Sequence, residues 1–263
     1  ERRAAGNSYN TMGLSYLDIG KLDVAVMYFE QAVNVARAEK LRELEGKGLG
    51  NLGLAYAALG YTERAIEFHE EHLAIARELG DRAEEGRSQG NLGLVYRQKG
   101  EPERAIRFHE KELQIFRQLA NRFMEAEALH NLGETYRQLG DNAKAEEYYK
   151  QSLAIARDIT DRTRVERILN SMGKVYLDAG DHKEAAQLFK QTLTIARQIG
   201  DRVGEGEVLG NLGELYQASG FTDRAIEYYT HAFNITQESN DRRKMIKNLL
   251  RLGDLYLIKG DIV

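Results

Sequence analysis

The chain has 263 residues, 30% charged and 42% hydrophobic, with a formal net charge of −4 and no cysteine. So even a charge balance argues against a general binder of nucleic acid or anionic membrane, and the lack of cysteine excludes a disulfide framework and thiolate chemistry. There is no long apolar run and no expected cleavable leader, and the composition fits a cytoplasmic setting.

Glycine recurs at Gly13, Gly53, Gly93, Gly133, Gly173, Gly213 and Gly253, and each is followed three residues later by a tyrosine, Tyr16 through Tyr256. Gly20, Gly60, Gly100, Gly140, Gly180, Gly220 and Gly260 form a second ladder with the same 40-residue period. Ala25, Ala65, Ala105, Ala145, Ala185 and Ala225 form a third. A period of that length predicts a solenoid, and solenoids mostly bind other proteins. The period leaves no place for a domain boundary. One array is expected over 1–263, in units of about 1–40, 41–80, 81–120, 121–160, 161–200 and 201–240 with a lone first helix at 241–260.

In chain order from Asp81, one unit places Leu92, Gly93, Val95 and Tyr96 at helical spacing, stops at Gly100 and restarts at Pro102. Ala105, Ile106, Phe108, Leu113, Ile115 and Phe116 then supply a second apolar stripe. The spacing predicts helices over 82–98 and 102–119, with equivalents 40 residues apart, each roughly 25 Å long at ~1.5 Å per residue. Asp81, Asn121, Asp161, Asp201 and Asp241, each followed by arginine, are the expected N-caps. Glu84 gives Asp81 the spacing of a capping box. The glycine before tyrosine lies inside a helix, where it costs about 1 kcal/mol relative to alanine. Close approach of the second helix at the recurring alanine is the expected reason, with the tyrosine filling the space beside it.

Asn-Leu-Gly-x-x-Tyr at 51–56, 91–96, 131–136 and 211–216, followed by glycine, alanine and an aromatic residue, resembles the tetratricopeptide repeat (TPR) over the whole chain. The resemblance implies an all-α fold, a right-handed TPR superhelix (α-solenoid) of antiparallel helical hairpins with about 13 helices. The repeat is longer than the usual TPR, which fits helices extended at their outer ends. Phrases such as the run from Leu73 to Arg82 look like the repeats of Pins/LGN-type polarity adaptors and of bacterial CHAT- and STAND-associated arrays, with kinesin light chain a more distant likeness. The usual small residue of the second helix is kept as Ala32, Ser152, Thr192 and Ala232 but is His72 and Glu112 in two units, which are therefore expected to pack differently. Arginine (Arg37, Arg77, Arg117, Arg157, Arg197) replaces the usual proline and lets the second helix continue.

The resemblance also places first helices along a concave groove, read six, three and two residues before each repeated glycine and one after it. Two residues before the glycine stands an asparagine ladder, Asn51, Asn91, Asn131 and Asn211, whose carboxamides offer both donor and acceptor to the backbone of an extended peptide. The alternative is that these asparagines bridge neighbouring helices. Lys47, Arg87, Arg97 and Arg137 make the early groove basic, Glu127 and Glu134 make the fourth unit acidic, Arg167 and Lys174 restore positive charge, and Glu207 and Glu214 reverse it. Such alternation suits a long peptide of mixed charge, or is ordinary variation of a solvated face. Asn170 and Lys174, Asn211, then Lys247 and Arg251 resemble the carboxylate clamp of chaperone-binding TPR domains, with the first pair swapped.

His69 and His72 are three apart rather than at zincin spacing, and His69 and His109 stand where Phe29, Tyr149, Phe189 and Tyr229 stand elsewhere, so they read as repeat-position rings. Gly46, Gly48, Gly50 and Gly53 lie within a helix and do not follow a strand, which removes a phosphate loop. No catalytic, cofactor or metal residue is assigned. The expected function is a scaffold or adaptor that binds an extended peptide or partner helix. A regulatory sensor domain for an attached enzyme or ATPase is one alternative, and a structural repeat that self-associates end to end is another. The chain reads as an excerpt of a longer protein, with Leu255, Tyr256 and Ile258 expected to be partly uncovered.

Overall fold

Helices of 17 or 18 residues succeed one another with two or three residues between them wherever the connection is described. The structure is a computed structural model that describes residues 2–238 and 242–260, leaving Asp241 outside the described residues. In chain order the helices are α1 (Arg2–Asp18), α2 (Leu22–Ala38), α3 (Arg42–Ala58), α4 (Thr62–Leu79), α5 (Arg82–Gln98), α6 (Pro102–Gln118) and α7 (Arg122–Gln138). They continue as α8 (Asn142–Asp158), α9 (Arg162–Asp178), α10 (His182–Ile199), α11 (Arg202–Ala218), α12 (Thr222–Glu238) and α13 (Arg242–Lys259). Two compact units, Glu1–Leu139 and Gly140–Val263, divide them. In each unit every helix packs on the next in sequence and, more lightly, first helices touch one another: α1 with α3, α3 with α5, α5 with α7, and α9 with α11. Among the described residues no helix is long and apolar enough to cross a membrane.

The connections are one turn used over and over. After α5 the Gly100 amide donates to the Arg97 carbonyl and the Glu101 amide to the Tyr96 carbonyl, the paired bonds that close a helix through a left-handed residue. The whole second glycine ladder supplies that residue, with φ of 72–83° from Gly20 to Gly260. The turns between hairpins use the same bonds but hold Lys40, Ala120 and Thr160 at φ 51–56° where Gly80 and Gly200 sit in other units. Asp81, Asn121, Asp161 and Asp201 each cap the following helix through their side-chain oxygen. The capping box at Asp81 is not completed. Its amide is already bound to the Ala76 carbonyl, and the Glu84 carboxylate turns to Arg87 and His72.

The first glycine ladder answers to a ring. A Cβ added at Gly53, Gly93 or Gly173 would lie 2.5 Å from His69, His109 or Phe189, and one at Gly213 would lie 2.9 Å from Tyr229. At each position the three nearest atoms belong to that ring, so the ring, and not the recurring alanine, is what the glycine makes room for. The alanines are fully buried beside it. The tyrosine three residues on stacks against a second ring of the partner helix, Tyr16 on Tyr28, Tyr56 on Phe68, Tyr96 on Phe108 and Tyr216 on Tyr228, with centroids 5.2–5.3 Å apart. Arg104 lies 4.0 Å over Tyr96.

The arginines that replace proline also brace adjacent hairpins. Glu45, Glu125 and Glu205 each accept from the last-turn arginine of the preceding helix and from the first arginine of their own: Arg37 and Arg42, Arg117 and Arg122, Arg197 and Arg202, at 2.6–3.0 Å. Arg77, Arg82 and Glu85 repeat the clasp. Position 165 is valine, so Arg157 has no equivalent carboxylate there. The arginine side chains are about half exposed, so each clasp contributes on the order of 1 kcal/mol or less.

Gly173→Ala should lower thermal stability by ~1–3 kcal/mol, because Phe189 is fully buried and cannot yield, even though helix propensity alone favours alanine by about 1 kcal/mol. Gly253→Ala, at the same ladder position but with no described atom within 4 Å, should be stabilising. Equal signs for the two in thermal unfolding would reject the ring-seat explanation. Thr160→Gly should raise stability by about 1 kcal/mol by relieving a β-branched residue at φ 56°; a lower unfolding midpoint would contradict the turn analysis.

Candidate functional site

Residues 47, 51 and 54 lie one turn apart on α3, and 87 and 91 repeat the first two positions on α5, so helical geometry alone aligns them on one face. In the first unit they line a cleft of about 290 Å³ formed by Asn10, Lys47, Gly50, Asn51, Leu54, His72, Glu84, Arg87 and Asn91. Gly50 lets His72 of the second helix reach the floor, since a Cβ there would stand 2.8 Å from His72 Nδ1. The same exchange of a glycine for a large partner occurs at Gly90, where a Cβ would stand 2.5 Å from Glu112. These are the two hairpins whose unusual residues predicted different packing. Asn10, His72 and Glu84 are groove residues that sequence reasoning did not name; the signal was glycine at 50 opposite histidine at 72.

The four ladder asparagines differ in what they have left to offer. Asn51 Nδ2 donates to Asn10 Oδ1 at 2.8 Å, and Asn211 Nδ2 donates to Asn170 Oδ1 at 2.8 Å, so both bridge neighbouring first helices. Asn131 is buried beside Glu112. The Asn91 side chain makes no hydrogen bond among the described residues. Lys47 pairs with Glu43 at 2.6 Å and Arg87 with Glu84 at 2.5 Å. Arg97 and Arg137 both approach Glu134, at 3.8 and 3.6 Å, which takes them out of a simple basic groove.

In the second unit Asn170 Nδ2 and Lys174 Nζ converge on Glu207 Oε1 at 2.9 and 2.8 Å, and Lys244 approaches its other oxygen at 3.7 Å. Burial alone would push Glu207 up, but Lys174, Lys244 and Asn170 hold it below the ordinary carboxylate value. Two residues of the clamp-like set, Asn170 and Lys174, thus meet on a carboxylate that the chain itself provides, and Asn211 joins them only through its bond to Asn170. Lys247 and Arg251 stand one turn apart on α13, outside that network, and Arg167 is exposed on α9. At the end of α13, Tyr256 and Ile258 are 41% and 71% exposed as expected, whereas Leu255 is buried at 1% against Tyr229 and Ala225.

His72, Ser88 and Glu84 superficially resemble a nucleophile, base and orienter, with Ser88 Oγ 2.9 Å from His72 Nδ1 and His72 Nε2 3.4 Å from Glu84. Ser88 is fully buried and its hydroxyl donates to the Glu84 carbonyl at 2.8 Å, so no nucleophile is presented. His69 is fully buried with neither ring nitrogen bonded, and burial, with the neighbouring His72, lowers it to about 3. His109 is lowered to about 3 by burial and then by Arg97, although its Nδ1 lies 3.0 Å from Glu112. Burial, and then Glu127, raises Glu112 well above the carboxylate range, and burial with Asp201 and Glu207 raises Glu166 to about 7.

The signs oppose one another. Each depressed histidine contributes stability that is complete above about pH 6.5 and is lost as pH falls towards 3. The raised Glu166 contributes stability that is complete below about pH 4.5 and is lost as pH rises through 7. At pH 5 a buried neutral histidine costs on the order of 2 kcal/mol. His69→Phe, the residue found at Phe29 and Phe189, should therefore raise the unfolding midpoint at pH 5 more than at pH 8. An equal gain at both pH values would mean that His69 is not buried neutral.

Tetratricopeptide repeat families match residues 6–39, 44–118, 124–198 and 208–243. Among curated proteins no sequence matches. Solved structures similar to this chain include BtubC (BKLC) from P. vanneervenii, with a TM-score of 0.71 and 22% identity, covering 83% of this chain and 92% of that one. A Rap protein complexed with competence and sporulation factor has a TM-score of 0.70 and 16% identity, covering 96% and 75%. A putative kinesin light chain repeat protein from Podosopora anserina has a TM-score of 0.63 and 22% identity, covering 76% and 99%. At these identities the structural likeness establishes the fold, and the matched repeats establish the family: the chain belongs to the tetratricopeptide repeat proteins.

Proposed function

We propose that the chain is a non-catalytic interaction scaffold whose first-helix face holds an extended peptide. The observation that carries this reading is the polar cleft of the first unit, where the Asn91 carboxamide has both donor and acceptor unused beside Lys47 and Arg87. A carboxamide in that state can pair with a peptide N–H and C=O together, whatever side chain the peptide residue carries. The Rap protein of the same fold, solved in complex with a factor, lends support by analogy. The regulatory-sensor alternative would use the same cleft and differ only in the consequence of occupancy. End-to-end association would instead use the exposed apolar residues Ile246, Leu250 and Leu257 of α13.

Asn91→Ala should weaken capture of a bound peptide about tenfold, the effect of two lost hydrogen bonds of roughly 0.5–1.5 kcal/mol each, with little change in stability. Asn131→Ala should lower the unfolding midpoint, because Asn131 is buried beside Glu112, and should change peptide affinity less. Peptide titrations monitored by fluorescence anisotropy, paired with thermal unfolding, measure both. Undiminished affinity in an Asn91→Ala, Arg87→Ala double variant would move the binding surface elsewhere.

A further inference from the structure

Gly253 departs from the glycine ladder. At Gly13, Gly53, Gly93, Gly173 and Gly213 a ring of the following helix fills the space where a Cβ would stand, whereas Gly253 on α13 has no described atom within 4 Å of that point. The residues around it are uncovered together. Leu249 is 47% exposed where Leu49, Leu129, Leu169 and Leu209 are buried, and Ile246, Leu250 and Leu257 are exposed as well. Tyr256 has no stacking ring among the described residues, where Tyr16, Tyr56, Tyr96 and Tyr216 each have one. Positions 246, 249, 250, 253, 256 and 257 follow helical spacing, so they form one stripe with Gly253 near its centre. The other side of α13 is occupied, since Leu252 and Leu255 pack against Ala225 and Tyr229 of α12.

The chain shows on itself what such a stripe receives. Arg64–His69, Arg104–His109 and Arg224–Tyr229 repeat one phrase: arginine, alanine, isoleucine, any residue and two rings. The alanine is fully buried, the second ring fills the glycine notch, the first stacks on the tyrosine, and the arginine lies 4.0–5.5 Å over that tyrosine. All of these rings are already seated in their own hairpins, so a second copy of the chain offers none without opening a hairpin. Nor do two α13 helices suit one another, because residues 244–259 set Lys244, Lys247, Arg251 and Lys259 against the single acid Asp254.

Two side chains of the stripe narrow the fit. Leu250 takes the register of Gly50 and Gly90, where the space goes to His72 and Glu112, seven residues after the alanine of the second helix. Ile246 takes the register of Gly46, Gly86 and Gly206, where a Cβ would stand 2.9–3.1 Å from Ile75, Ile115 or Ile235, ten residues after it. Glu166 fills that register in another unit, and the equivalent Ile195 is only partly buried there. Large residues at 246 and 250 therefore call for small ones opposite.

We propose that the face of α13 around Gly253 docks an amphipathic partner helix that carries an alanine, aromatic residues three and four positions later, and small residues seven and ten positions later. The second aromatic ring sits on the Gly253 backbone, the first stacks on Tyr256, and the small residues admit Leu250 and Ile246. None of the cleft residues takes part, so this docking is independent of the peptide-binding reading.

The test titrates a side-chain-stapled peptide with the α12 sequence Thr222–Glu238, carrying Ile235→Ala, into the full chain by fluorescence anisotropy. Saturable binding is expected, weakened at least about tenfold when the peptide also carries Tyr229→Ala, and weaker when Ile235 is retained. In the chain, Gly253→Ala should raise the unfolding midpoint and yet weaken the peptide about tenfold, because the added Cβ occupies the place of the ring. A purely structural glycine would not give these opposite signs. No saturable binding would overturn the docking surface, and equal affinity for the parent and Gly253→Ala would overturn the ring seat. Sedimentation showing a dimer that Leu250→Lys abolishes and the peptide does not dissociate would assign the face to a second copy and overturn the proposal.

Discussion

A ring of the second helix seated on the bare backbone of the first is the contact on which the rest of the structure depends. Phe29, His69, His109, Phe189 and Tyr229 occupy the space that a Cβ at the facing glycine would need. Burying a phenylalanine ring contributes roughly 1.5–3 kcal/mol, which offsets the ~1 kcal/mol that glycine costs inside a helix. Once the ring is seated, the rotation of the first helix about its axis is fixed. The small alanine is enclosed, the tyrosine stacks on its own partner, and the positions six and two before the glycine fall on one face. The proposed binding face is thus a consequence of the packing face.

Within that frame the first unit departs from an apolar interior at a few places, and the departures come as matched pairs. His72 and Glu112 stand where other units have a small residue, and Gly50 and Gly90 stand where Asn10 and Asn170 appear. A large polar side chain from the second helix takes the volume surrendered by the first, which keeps density and brings ionisable groups close to the groove floor. The cost is buried polarity: His69 has no partner for either nitrogen and His109 none for Nε2. Low dielectric lowers the pKa of these rings and raises that of Glu112, so the stability of the hairpins varies with pH.

Charge on the outer edges obeys a different logic. The arginine clasps at Glu45, Glu85, Glu125 and Glu205 recur at the same place in their units, each joining a largely buried carboxylate to half-exposed guanidiniums, which is the pattern of a registry device between hairpins. The charges of the groove do not repeat. Glu207 and Arg87 occupy the same register with opposite charge, and each is paired within the chain, Glu207 with Lys174 and Arg87 with Glu84.

Helix boundaries, turn positions, caps and the hairpin plan were legible in the residues because each rests on local chemistry with a period of 40: a left-handed glycine, an aspartate before arginine, an apolar stripe at helical spacing. Which atom fills the notch above Gly173 was not legible, because alanine and ring both recur at fixed offsets and only packing distinguishes them. The asparagine ladder shows the same division. Sequence placed Asn51, Asn91, Asn131 and Asn211 in one register, and by itself it made them equivalent. Tertiary structure made them different, since a hydrogen bond depends on what the neighbouring helix presents: Asn10 for Asn51, Asn170 for Asn211, Glu112 for Asn131, and nothing for Asn91. Local spacing therefore determined the face, and the contacts between helices decided which side chain on it keeps its hydrogen-bonding groups unpaired.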